Sequence, residues 1–327
     1  MHGRNTGNQI HLSVAFIAFG LLLTNCNELA SRNPNNAESS EKVLEQIQIR
    51  NENLVLKLIP EKGGSIHSLS WNGIDILRPM PEDADDIVDV ASFPLVPIVN
   101  RIPDGEFEFE SKKVDLDGNF MGLPDFIHGH GWKSSWQVIS QSNDKIILQF
   151  DHSSGKWPWS YTGQQTFELS DNSLSMELSV TNTSSTNMPA DIGFHPYFPT
   201  TSNTKLQFQY DGYWSTNDKG HALEKIPGSY RQDFTKGADL IDPIMTDQTH
   251  YGYEGRAVLS ESGRPDTVIT SSENITNLHV FFPPNGNYAA IEPTLGRGNP
   301  FGTEEREINT LAPNETLSAW MKISVEP

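Results

Sequence analysis

The amino-acid sequence predicts an all-β protein built as one large domain, and three observations lead there. Apolar residues recur with period two in run after run, glycine-containing turn pairs punctuate the runs, and no amphipathic helix longer than about three turns can be drawn. Taken in chain order, Leu54, Leu56 and Leu58 alternate, as do Phe107 and Phe109 between three glutamates. Leu174, Met176, Leu178 and Val180 alternate with Ser173, Ser175, Glu177 and Ser179, and Ala319, Met321, Ile323 and Val325 repeat the pattern near the end. Each set turns one face to a core and one to water, as half-buried antiparallel strands do. Turns are expected at Asn72-Gly73, Asp104-Gly105, Asp117-Gly118, Asp211-Gly212 and Asn285-Gly286. The only helical candidates are short, at Glu41 to Gln46 and Glu82 to Val90. Length alone would tolerate two domains. A single body over residues 45–327 is the better expectation, because that span holds neither a Pro/Ser-rich linker nor a fixed-period repeat.

The first 25 residues read as a leader rather than as part of the fold. Arg4 precedes an apolar stretch from His11 to Leu23 that is too short for a stable membrane span and has the form of a secretory h-region. Leu23-Thr24-Asn25 then leads into Cys26, the one cysteine in the chain. The arrangement is similar to a bacterial lipoprotein signal, in which cleavage leaves an acylated Cys26 at the new N-terminus, although Asn25 is bulkier than the small residue usual there. The alternative is an ordinary signal peptide with an incidental cysteine. Residues 26–44, rich in Asn, Ser and Glu, are expected to tether the anchor to the folded body. The expected location is therefore the bacterial cell envelope, facing the periplasm, with membrane contact through the anchor only. A lone cysteine excludes an intramolecular disulfide. The formal net charge of −19 repels phosphate backbones, which argues against nucleic-acid partners.

Chemistry is suggested first by His195, in Gly193-Phe194-His195-Pro196-Tyr197-Phe198, and by Glu292, in Ala290-Ile291-Glu292-Pro293. A histidine and a carboxylate in one pocket can donate and remove protons together. Either alone reads equally well as a structural residue. Two further motifs precede them, Asn100-Arg101-Ile102 with Gly105 and Phe107 downstream, and His128-Gly129-His130-Gly131-Trp132. In this order the four motifs are far more specific than any one of them. From about residue 54 to the C-terminus the chain resembles the aldose 1-epimerase (galactose mutarotase-like) family.

The resemblance implies a β-supersandwich, two large antiparallel sheets packed face to face, with a sugar site in a concave cleft. It implies interconversion of the α and β anomers of a free aldohexose, with His195 as general acid and Glu292 as general base on opposite sides of the bound hemiacetal. Arg101 and His128 match the family's sugar-binding arginine and histidine. Asp242 matches its acidic sugar contact loosely, since Pro243 follows it. No cofactor and no metal are implied. Arg101 could instead be a strand-edge ion pair, and His128 a turn residue. His130 is expected to face solvent, Glu254 to be structural, and Trp157-Pro158-Trp159 is the best candidate for an aromatic cleft wall, although most aromatics should be core. Two rival functions remain open at this stage, a non-catalytic carbohydrate-binding lipoprotein and a hexose-phosphate 1-epimerase.

Overall fold

The structure, a computed structural model, describes residues 45–284, 286–302 and 308–326. The leader, the tether, Cys26, residues 41–44 of the first helical candidate and Asn285 of the last turn pair lie outside the described residues. The described residues belong to one compact unit. They form an eleven-stranded and a nine-stranded sheet with antiparallel pairing throughout, plus three two-stranded ladders.

The period-two runs become strands because alternation lets each bury one face. Leu54–Ile59 buries Leu54, Leu56 and Leu58, and Glu106–Phe109 buries Phe107 and Phe109 while its glutamates stay in water. Ser173–Asn182 and Thr316–Glu326 pair along nine rungs at the middle of the nine-stranded sheet, with Leu178 opposite Ala319 and Met176 opposite Met321. Their apolar faces meet those of the larger sheet in one continuous core. The fold is a β-supersandwich, as expected.

Two local expectations change. The Glu82 to Val90 candidate shrinks to a single 3-10 turn, Ile87–Asp89, whose first amides are capped when Asp86 accepts from the Val88 N–H at 3.3 Å. Residues 45 and 46 lead directly into the strand Ile47–Arg50 instead of a helix. Asn72-Gly73 does form a tight hairpin, both residues having positive φ.

Candidate active site

Five strands of the larger sheet lie side by side in the order Ser92–Leu95, Gly193–Pro199, Tyr288–Thr294, Asn277–Phe282 and Thr246–Tyr251. Their registers align one residue from each. Phe93 faces His195, Glu292 faces His279, and His279 faces Thr249. The pairing of Gly193 with Thr294 and Tyr197 with Ala290 sets His195 across from Glu292. Residues spread over two hundred positions thus form one transverse row on one face of the sheet, with neighbours about 5 Å apart. The row floors a cleft of about 290 Å³.

His195 and Glu292 occupy the middle of that row. The imidazole stacks on Phe93 with ring centroids 4.3 Å apart, and its Nε2 lies 3.2 Å from Glu292 Oε1. Both side chains are nearly inaccessible, at 7% and 3% exposure. Burial penalises the charged form of each, which lowers His195 to about 3 and raises Glu292 to about 8. Near neutral pH the pair therefore holds one proton, on the carboxyl.

Arg101 and His128 are brought in by a small ladder, Arg101–Ile102 with Phe126–Ile127, in which Arg101 faces Ile127. The residues flanking it, Asn100 and His128, both have positive φ, and the His128 N–H donates to the Asn100 carbonyl at 2.9 Å. Gly129 follows with φ +73, and a Cβ there would lie 2.2 Å from the Val96 carbonyl oxygen. Only glycine fits that approach. The two motifs are thus one folded unit that aims Arg101 and His128 into the cleft. The His128 ring stands edge-on to both His195 and Trp132 at 5.4 Å, and its Nδ1 has no protein partner. Burial, then the positive potential of its neighbours, holds His128 well below the ordinary imidazole value.

Asp242 is not part of this constellation. Its carboxylate accepts from the Ile244 N–H at 2.8 Å and pairs with Arg231 at 3.3 Å in an irregular segment off the cleft. An acid that does line the cleft beside Arg101 is Asp247, on the strand Thr246–Tyr251, with Oδ2 3.9 Å from Arg101 Nη2 and Oδ1 3.0 Å from His279 Nε2. Burial would raise Asp247, but the hydrogen bond and charge of His279, with Arg101, outweigh it and leave its pKa below the usual value. Alternation gave no signal for Asp247, since Thr246-Asp247-Gln248-Thr249-His250 is polar at every position. His279, alone among apolar neighbours in Leu278-His279-Val280-Phe281, was visible.

Three smaller expectations are corrected or placed. Trp157 and Trp159 are core residues, 1% and 0% exposed, packed on Phe107. The cleft walls are instead Phe93, Trp132, Tyr197, Phe281 and Tyr288. The Arg78 guanidinium packs in the corner formed by the Tyr197 and Tyr288 rings, 4.2 and 4.4 Å from their centroids, while its Nη2 donates to the Val88 and Val90 carbonyls. His130 turns inward rather than to solvent, stacking on His152 at 4.1 Å with Nδ1 3.1 Å from the Tyr161 hydroxyl. It diverges from His128 because Gly129, in the left-handed region, breaks the strand alternation that would align the two rings. Glu254 is exposed.

An antiparallel supersandwich with this cleft at the centre of its larger sheet defines a galactose mutarotase-like protein. The Aldose 1-epimerase family profile matches residues 45–324, and the chain belongs to that family. It is 28% identical over 291 residues to the uncharacterized protein YphB of Escherichia coli K12, covering 83% of this chain and 96% of YphB. A crystal structure of a provisionally assigned aldose 1-epimerase from Escherichia coli K12 superposes with a TM-score of 0.80 at 25% identity, over 86% of this chain and 99% of that one. A galactose mutarotase-like protein of Clostridium acetobutylicum shares the fold, with a TM-score of 0.77 at 22% identity over 86% and 95% of the two chains.

Proposed function

We propose that this protein is an aldose 1-epimerase that interconverts the anomers of a free aldohexose. The observation that carries the reading is the His195–Glu292 pair, 3.2 Å apart on the floor of the cleft. The anomeric hydroxyl and the ring oxygen of a hemiacetal are bonded to the same carbon, so the groups that serve them must be close neighbours. In the reacting form the shared proton sits on His195 and Glu292 is the carboxylate. Glu292 takes the proton of the C1 hydroxyl, the C1–O5 bond breaks as C1 becomes a carbonyl, and O5 receives the proton of His195. Rotation about C1–C2 presents the other carbonyl face. O5 then attacks C1, returning its proton to His195, while the carbonyl oxygen takes the proton back from Glu292. No net proton is consumed, which is why one proton on the pair is enough.

The remaining residues support a neutral sugar. Arg101 and His128 supply donors for ring hydroxyls, and the aromatic walls suit the C–H faces of a pyranose. The cleft volume is the scale of one sugar ring, near the lower end for small-molecule sites. A phosphorylated hexose is less well matched, because Arg101 already faces Asp247 and Arg78 already donates to two backbone carbonyls. Polarimetric mutarotation of purified protein on common aldohexoses is the test. Activity lost by at least about a hundredfold in His195→Asn and Glu292→Gln supports the reading. Binding of a sugar without turnover by the native protein would replace it with a carbohydrate-binding role.

The location proposed is the periplasmic side of a bacterial envelope, with Cys26 acylated after removal of residues 1–25. Cys26→Ser should then move the protein from the membrane to the soluble fraction with its specific activity intact. Continued membrane retention of the serine variant would end the anchor proposal.

A further inference from the structure

The catalytic row holds a third ionisable residue to which the mechanism above gives no task. His279 is 8% exposed, lines the cleft and faces Glu292 directly across adjacent strands. Both of its ring nitrogens have partners. Nε2 is 3.0 Å from Asp247 Oδ1, which can only accept while ionised, so Nε2 carries a hydrogen. Nδ1 is 2.8 Å from the Thr249 hydroxyl, which can accept from a second hydrogen. A buried ring bracketed by a carboxylate and a hydroxyl in this way has an acceptor within reach of each nitrogen and so can hold both protons.

We propose that His279 is a positioning residue for the catalytic pair: held as an imidazolium by Asp247 and Thr249, it stabilises the Glu292 carboxylate across the strand boundary. The inference rests on the assignment of Glu292 as the base. The groups around the ring are accounted for strand by strand. Thr246–Tyr251 contributes Asp247 and Thr249, with His250 next along it. Tyr288–Thr294 contributes Glu292, Gly193–Pro199 contributes His195, and the Arg101 ladder contributes Arg101 and His128. Burial and the Arg101 charge oppose protonation of His279. The charge of Glu292 when it is ionised, with the hydrogen bond and charge of Asp247, favours it more strongly, and its pKa ends above the ordinary value.

The consequence follows from position in the row. His279 is next to Glu292, and His195 lies on the far side of Glu292. A positive charge at 279 therefore favours the tautomer with the proton on His195 over the one with the proton on Glu292. That is the tautomer that opens the ring. Removing the charge should leave a smaller reactive fraction and a more basic Glu292.

NMR of the histidine ring nitrogens in the native protein, with His279 assigned by the signal missing from His279→Gln, should show both nitrogens still protonated at a pH above the ordinary imidazole value. An unprotonated Nδ1 would overturn the inference without any measurement of activity. Carboxyl-carbon NMR of Glu292 should place its titration about one pH unit higher in His279→Gln than in the native protein, with Thr249→Val shifting it the same way by less. In mutarotation, His279→Gln should lower kcat by about tenfold and move the alkaline limb of its pH profile upward by about one unit. A loss of kcat with both the limb and the Glu292 titration unmoved means His279 is only structural. If the native protein binds sugar without turnover, the proposed function fails, while the two titrations still decide the charge on His279.

Discussion

Glu292→Gln should stabilise the protein while abolishing its chemistry, and the size of the gain can be worked from the site. The glutamine amide has the shape of the carboxyl and cannot titrate. In the native protein burial raises Glu292 from the ordinary 4.5 to about 8, so the folded state binds this proton more tightly than the unfolded chain does. A folded pKa raised above the unfolded one contributes stability that is fully present below about pH 4.5 and is lost as pH rises toward 8. By pH 7 the loss amounts to about 3 kcal/mol, a large share of the stability of a domain. The variant carries no such loss. All other titrating groups are common to both proteins and largely cancel in the difference. Denaturant unfolding of native and variant protein at pH 4.5, 6, 7 and 8 should therefore show the variant gaining on the native protein by about 3 kcal/mol between the first and third points. A difference independent of pH would mean that Glu292 is not held protonated by its burial, and the shared-proton account of the pair would fall with it.

The pair needs one proton, so mutarotation should be flat between the two values that bound it, about 3 for His195 and about 8 for Glu292. Above about pH 8 the rate, corrected for the spontaneous reaction, should fall as the last proton leaves; a corrected rate that keeps climbing to pH 10 would contradict this. Arg101→Lys keeps the charge near Asp247 but loses the planar fork, and should raise KM by an amount worth roughly 1 to 3 kcal/mol with a smaller effect on kcat. An unchanged KM across several aldoses for Arg101→Lys and Arg101→Ala would make this arginine a scaffold residue. Gly129→Ala drives a Cβ to 2.2 Å from the Val96 carbonyl and strains a φ of +73, so it should cost on the order of 2 to 4 kcal/mol of stability. Thermal unfolding of the alanine variant at the native temperature would show that the loop relaxes freely.

Most of the fold was legible because the strands are half-buried, and a half-buried strand writes its burial into the sequence as alternation. Leu54–Ile59 and Ser173–Asn182 are plain in this way. The site was legible only where a motif marked it. His195, Glu292, Arg101 and His128 converge on the cleft, but Asp242 and Asp247 are five residues apart and are separated by where the strand begins. Asp247 shares a face with Thr249 and so reaches the row; Asp242 precedes the strand and spends its oxygens locally. The tryptophans at 157 and 159 show the converse limit. Aromatic residues near turns satisfy the core and a sugar cleft alike, and only packing against Phe107 decides between them. His130, expected in solvent, turns inward because positive φ at His128 and Gly129 redirects the chain there and lets its ring stack on His152.

The transverse row explains how such charged chemistry can be precise inside a protein this buried. Residues 93, 195, 292, 279 and 249 come from remote parts of the chain, yet each is held by backbone ladders on its own strand and its neighbours. To move one of them out of line while keeping its face would require its strand to slip by two residues, breaking every pairing along it. The spacing of donor and acceptor is therefore set by the sheet rather than by flexible side chains, and in the proposed reaction little reorganisation would remain to be done as charge develops on the sugar oxygens. The same rigidity fixes the penalty. A carboxyl at the centre of a sheet cannot turn toward water when it ionises, so its proton affinity rises, and it can act as a base near neutral pH only because a proton acceptor lies 3.2 Å away on the next strand. Strand order, more than any single residue, makes His195 and Glu292 one functional group.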